Sequence, residues 1–213
     1  MCRNLIKMSN DIFVNSSITP SIMPTANSML KAYSTLTAPF LFEPAILIAQ
    51  EKYPNVKYIL KTLPDSQNPE LQQLAVSLNV IKYTEFISKL VDYNELPEML
   101  YGVDIFISVP SSDSSSISLL EAMACGLPVI VSDIPANHEW VTDGWNGIIV
   151  PVRDPEKLAE AILHLIEKPD LMRLFGERNA RIIREKADRE KHMAHMEELY
   201  QQLLETNYPE ELS

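Results

Sequence analysis

The chain has 213 residues, 46% apolar and 22% charged, with only 5 glycines against 15 prolines. All five glycines (Gly102, Gly126, Gly144, Gly147 and Gly176) lie in the second half. A G-x-G-x-x-G dinucleotide fingerprint or a P-loop is therefore excluded from the first half, and neither pattern occurs in the second. The 18 Lys and Arg against 29 Asp and Glu give a net charge of −11, which argues against sequence-independent binding of nucleic acid.

This length accommodates one large domain, or one full domain and a remainder, with enough chain to bury a core. Cys2 and Cys125 are few and far apart, as in a reducing compartment. The start MCRNLIKMSNDIF contains no apolar run of signal-peptide length. The apolar stretches 38–42 and 44–49 are split by Glu43 and fall far short of a membrane span. The expectation is a cytoplasmic protein, at most peripheral at a membrane.

Residues 1 to about 30 are rich in Ser, Thr, Asn, Pro and Met without a sustained period and read as irregular, with at most a short strand. From Pro39 helices and strands alternate. FLFEPAILIAQEKYP reads as a buried helix ended before Pro54, and VKYIL (Val56 to Leu60) as a strand. PELQQLAVSLN follows as a helix, VIKYTEFI as a strand, NELPEMLY as a short helix and DIFISV (Asp104 to Val109) as a strand. Helix SLLEAMAC runs to Gly126 as a stop. LPVIVS is the uninterrupted apolar run that a doubly covered parallel strand needs.

PANHEWV reads as a short helix and GIIVPV as a strand. DPEKLAEAILHLIEK opens with Asp154 as N-cap and Pro155 at the first helical position. Two further helices follow, PDLMRLFGERNARIIREK and an amphipathic segment with Met193, Met196, Tyr200 and Leu203. This alternation predicts an α/β chain, a Rossmann-like doubly wound parallel sheet with C-terminal helices. The expected division is an irregular segment at 1–30, the sheet domain at 31–190 and a C-terminal helix and tail at 191–213.

Ligands of such sheets bind beyond the carboxyl ends of the strands. The most informative loop is accordingly PSSDSSSISLLEAMACGLPVIVS, from Pro110 to Ser132, where hydroxyls and one acid lead into a helix whose free amides suit a diphosphate. Asp113 and Glu121 lie eight residues apart. Structural readings stand beside this one: Ser118-x-x-Glu121 is also a capping box, and Asp113 also suits an Asx-turn.

The stretch DIFISVPSSDSSSISLLEAMACGLPVIVSDIPANHEWVTDGWNGIIVPVRDPEKLAEAI closely resembles the carboxyl-terminal, donor-binding domain of the glycosyltransferase family 4 (group 1) enzymes of GT-B fold. The specific signature is an acid-x7-Glu pair before A-M-A-C-G-x-P-V, then D-G-x-N-G, then D-P-x-x-L-A. Weaker resemblance extends back to about Phe40 and forward to the MEELY helix.

The resemblance implies a retaining enzyme that transfers a sugar from a nucleotide-diphosphate sugar to a saccharide or lipid-linked acceptor, generally without a metal. It places Asp113 by the donor sugar, where the family has Glu, and gives Glu121 the ribose hydroxyls. A carboxylate suits a cis-diol because it accepts two bonds and donates none. The residues Ser114, Ser115, Ser116, Ile117, Ser118, Leu119 and Leu120 match the loop around the diphosphate, with Ser114 and Ser116 where glycines are common. Lys89, Leu90 and Val91 match the segment whose backbone meets the nucleobase.

The family's strand ending in Arg, with a Lys a few residues later, has no counterpart here. Lys31 is the only basic residue between Asn27 and Glu43, which makes it the candidate cation of this region. The glycine turn after the next strand is replaced by KTLPDSQNPE. An acceptor-binding N-terminal domain is also implied and is missing from this chain. A noncatalytic nucleotide-sugar-binding or interaction domain is the alternative.

Elsewhere, His192 and His195, with Glu198 three residues further on, have helical spacing but no further ligand to complete a metal site, and read as a solvated surface. His138 and Glu139 stand where the family often has an acid near the donor cleft, and a helix-terminal surface pair is the equal alternative. Trp140 and Trp145 are expected to cover the core edge, and Cys125 to be a small core residue.

Overall fold

The computed structural model describes residues 31–35, 39–61, 69–87, 92, 95–187 and 189–207; the expected irregular segment 1–30 lies outside them. Among the described residues six strands form one sheet: β1 (Lys31–Thr35), β2 (Lys57–Lys61), β3 (Thr84–Ile87), β4 (Ile105–Ser108), β5 (Val129–Ser132) and β6 (Gly147–Val150). Their order is β3-β2-β1-β4-β5-β6, and every pairing is parallel. The predicted doubly wound sheet is therefore present, in the strand order of a dinucleotide-binding fold.

The helices are α1 (Pro39–Lys52), α2 (Pro69–Ser77), α3 (Leu96–Tyr101), α4 (Ile117–Ala124), α5 (Pro135–His138), α6 (Pro155–Ile166), α7 (Pro169–Lys186) and α8 (Arg189–Asn207). Asp154 caps α6 as expected, accepting from the Lys157 amide at 2.8 Å. α8 starts at Arg189 and so crosses the expected division at 190. No described helix is long and apolar enough to cross a membrane.

Alternation along the strands separates two cores. Tyr58, Leu60, Ile105, Ile107 and Ile130 face one layer, with Ala45, Ile46 and Ala49 of α1 and Leu158, Ile162 and Leu165 of α6. Ile59, Phe106, Val129 and Val131 face the other, with Leu96 and Leu100 of α3 and Leu119, Ala122 and Met123 of α4. Both faces are covered, which is why β4 and β5 are buried at every position.

Helix α7 joins the two layers. Met172 and Phe175 belong to the first core, Ile182 and Ile183 to the second. Its Asn179, fully buried, donates to the Leu127 carbonyl at 2.8 Å and accepts from Asn146 Nδ2 at 2.8 Å. The D-G-W-N-G turn and the exit of α4 are thus tied to one side chain. The Arg178 guanidinium lies over Trp145, its Cζ 4.9 Å from the ring centroid, and Trp140 packs half-buried against the second core. Cys125, half-buried, packs there too.

On the other face, Lys52 at the end of α1 pairs with Glu167 after α6. The hydrogen bond from Lys52 holds the Glu167 carboxyl below its ordinary range. A depressed carboxylate contributes stability at neutral pH that is lost as pH falls through its folded value, and for an exposed pair that contribution is small.

α7 approaches the exit of α4 at two glycines. Gly126 ends α4 with φ of +76°, and a β-carbon at Gly176 would stand 2.0 Å from the Gly126 carbonyl oxygen. Gly176→Ala is expected to lower stability by roughly 1–3 kcal/mol through overpacking, against alanine's better helix propensity. Thermal unfolding followed by circular dichroism measures this; an unchanged or higher Tm would mean that the two backbones are not in contact.

Candidate functional site

The order of strands reverses at β1: β2 and β3 extend one way, β4 to β6 the other. After β1 the chain enters α1 on the first core, and after β4 it enters α4 on the second. Loops leaving toward opposite faces open a crevice at the carboxyl ends of β1 and β4. The predicted loop, residues 110–116, stands at that crevice.

Hydrogen bonds fix this loop to its neighbours. The Ser132 hydroxyl, at the end of β5, donates to the Pro110 carbonyl at 2.7 Å. Asn137 Nδ2 of α5 donates to the Ser132 carbonyl at 2.8 Å. Both side chains are buried, where such bonds are costly to lose. Arg153, after β6, donates from Nε to the Ser111 hydroxyl at 3.4 Å. It does so with φ of +61°, a left-handed conformation uncommon for a residue other than glycine.

Within the loop, Asp113 is exposed and accepts from the Ser114 amide at 2.8 Å, a local Asx-type bond that occupies one carboxylate oxygen. Ser114 and Ser115 are exposed. Ser116 is the N-cap of α4, and its side chain caps no amide; its hydroxyl lies 3.1 Å from that of Ser118. The capping box read from Ser118 and Glu121 is therefore replaced: Ser118 is already inside the helix, two positions past the cap.

The first backbone bond of α4 runs from the Leu120 amide to the Ser116 carbonyl at 3.2 Å. By helix geometry the preceding amides, of Ile117, Ser118 and Leu119, have no intrahelical acceptor and face outward from the helix start. Leu119 buries its side chain at 1% exposure, while Ile117 is 69% exposed. Glu121 is half-buried and follows Ile117 and Ser118 by four and three residues, which puts the three on one side of α4.

Ser108, the last residue of β4, is 1% exposed, and its hydroxyl has no hydrogen-bond partner among the described residues. An unsatisfied buried hydroxyl is uncommon, and this one lies at the crevice.

The other expected residues divide. Lys89, Leu90 and Val91 lie outside the described residues. Lys31 is the first residue of β1 and pairs with Lys57, the first of β2. It thus stands at the amino edge of the sheet, four residues or about 13 Å along the strand from the carboxyl end. That placement removes Lys31 as a cation for the loop after β4, because strand direction decides which edge a residue occupies.

His138 pairs with Asp133 at 2.7 Å on the surface, and Glu139 is exposed. His195 lies 3.8 Å from Glu198, while His192 turns to the Lys186 carbonyl at 2.7 Å. No cluster of three or more His, Cys, Asp or Glu arranged to hold a metal ion occurs among the described residues.

Comparison with known proteins gives this geometry a context. Residues 37–168 match the family model described as Glycosyl transferases group 1. Among curated relatives, the O-antigen chain mannosyltransferase RfbU of Salmonella typhimurium is 37% identical over 112 residues, 52% of this chain and 31% of that protein. The C-terminal domain of a glycosyl transferase group 1 family protein, LpcC, from Francisella tularensis superposes with a TM-score of 0.67 at 22% identity, covering 74% of this chain and 86% of that one. Anabaena HepE, solved in complex with UDP-glucose, gives a TM-score of 0.73 at 19% identity, over 83% of this chain and 50% of HepE. The matched stretches cover from 24% to 38% of the curated relatives' lengths.

The Ser132–Asn137 anchor was not read from the sequence, where Ser132 is only the polar end of an apolar strand and Asn137 a short-helix residue. Asn137→Ala would remove one of the two donors to the Ser132 carbonyl, the Ile134 amide at 2.9 Å being the other, and is expected to cost about 1 kcal/mol. Urea unfolding checks this, with a midpoint no lower than that of the parent counting against the anchor.

Proposed function

Because the chain belongs to the Glycosyl transferases group 1 family, we propose that it is the donor-binding half of a retaining glycosyltransferase. Its substrate is a nucleotide-diphosphate sugar, and the acceptor is a saccharide or lipid-linked molecule held by a second domain beyond this chain. The observation that carries the reading is the start of α4 at the strand-order reversal. There the outward amides of Ile117, Ser118 and Leu119 and the half-buried carboxylate of Glu121 stand on one helix.

Each group has a role that its chemistry suits. The amides at the positive end of the helix dipole meet the diphosphate. Glu121 accepts from the two ribose hydroxyls. Asp113, with one oxygen held by the Ser114 amide, offers the other to a hydroxyl of the sugar. The backbone of Lys89 to Val91 meets the nucleobase edge. In the transfer, the bond between the anomeric carbon and the phosphate oxygen breaks. The acceptor oxygen bonds the same face of that carbon, and the acceptor proton passes to the departing phosphate.

A second reading is favoured by the position of Lys31 at the wrong edge of the sheet: a domain that binds nucleotide sugar without turnover. The two differ in whether a nucleoside diphosphate is released when the chain is supplied with a nucleotide sugar and its acceptor half.

Calorimetric titration with UDP, GDP and ADP tests the site. At least one is expected to bind at millimolar concentration or below. Glu121→Ala is expected to weaken that binding about tenfold or more, the worth of hydrogen bonds to a charged group. Absence of binding by all three, or equal binding by the Glu121→Ala chain, contradicts the assignment.

A further inference from the structure

A diphosphate brings several negative charges to a chain of net charge −11. The partial charge at a helix terminus offsets only part of them, so fixed cations are required beside it. Among the described residues, the carboxyl end of the sheet is poor in them. β1 ends in Thr35, residues 109–116 after β4 include no Lys or Arg, and β5 ends in Ser132 followed by Asp133. The described cations at this edge are Lys61, the last residue of β2, and Arg153, after β6. Arg153 reaches Ser111 on the β6 side of the loop.

Lys61 stands on the opposite side of the crevice. It pairs in register with Thr35 at the end of β1, one strand removed from β4. Strand alternation sets its direction. Tyr58 and Leu60 belong to the first core and Ile59 to the second, so Lys61 leaves β2 on the face that α4 covers. Ser108 has the same parity as Phe106, which is also in the second core. The Lys61 and Ser108 side chains thus leave on one face from backbones about 10 Å apart, on either side of the carboxyl end of β1.

The state of the Lys61 side chain is equally informative. It is half-buried and forms no hydrogen bond or ion pair among the described residues. Three cations of this acidic chain hold carboxylates, Lys52 with Glu167, Lys157 with Glu160 and Arg173 with Glu177, and Lys61 is not one of them. A partly desolvated ammonium that holds no carboxylate among the described residues, across the end of β1 from an unsatisfied buried hydroxyl and a helix start, is a half-site for an anion.

We propose that Lys61 supplies the positive charge on the β1 side of the crevice and contacts the diphosphate of the donor, with Ser108 and the first amides of α4 on the other side. The cation is carried by β2 instead of β1. This inference rests on the donor-binding reading above, and the following experiment separates the two.

The full chain is titrated with UDP, GDP and ADP and with uridine, guanosine and adenosine. For the base that binds, Lys61→Gln is expected to weaken the diphosphate about tenfold or more and leave the nucleoside unchanged. Lys61→Arg, which keeps the charge, retains most of the diphosphate affinity. Lys57→Gln removes the same charge from the amino end of the same strand and has no effect on either ligand. An unaltered ratio of diphosphate to nucleoside affinity in Lys61→Gln, or an equal fall in Lys57→Gln, overturns the role of Lys61 while leaving the donor site standing. If the parent chain binds none of the diphosphates, the donor-binding reading and the role of Lys61 both fall.

Discussion

The parallel arrangement of all six strands is the constraint on which the structure depends. Parallel neighbours cannot be joined by tight hairpins, so each connection crosses a face, and both faces must be covered by helices. A chain that winds outward from β1 in one direction and then from β4 in the other leaves one place where adjacent loops part company. That place is the gap between Thr35 and Ser108. The site is thus a consequence of topology first and of particular side chains second.

What the side chains add is rigidity on one side of the gap. Helix α4 is only eight residues long, too short to be stable alone, and its orientation is determined by what grips it. Leu119, Ala122 and Met123 anchor it in the core. Its exit is held by the Gly126 and Gly176 backbones in close approach and by Asn179 on the Leu127 carbonyl. The preceding loop is held by Ser132 on the Pro110 carbonyl. Amides whose direction is fixed before a ligand arrives need no reorganisation to meet it. The distant α7 thereby contributes to the site without touching it.

Much of the fold was legible because its periods are strong. LPVIVS, the capped DPEKLAEAILHLIEK and the MRLFGERNARII face each carry their element in the pattern of apolar residues, and the structure places them within a few residues of the expectation. β1 was not legible: KAYST follows a segment without period, and only pairing with β2 and β4 makes it a strand. The error at Lys31 has the same origin. A cation near a missing motif looks like a substitute until the strand direction puts it at the opposite edge, while Lys61, at the start of the altered KTLPDSQNPE turn, ends β2 at the right one. The capping box failed because Ser116, Ser118 and Glu121 satisfy several local rules at once, and only the helix start at Ile117 decides among them. Asn137 and Ser132 act over contacts that no local pattern encodes.

The central claim is that a nucleoside diphosphate sits at the start of α4, in the gap between β1 and β4. Hydrogen–deuterium exchange with and without the nucleotide that binds tests it most directly, because exchange reports amide by amide. The account predicts added protection at residues 114–121 and at the end of β2 near Lys61, with none at the amino edge around Lys57. Protection confined to the amino edge, or to the exposed face of α8, would contradict it.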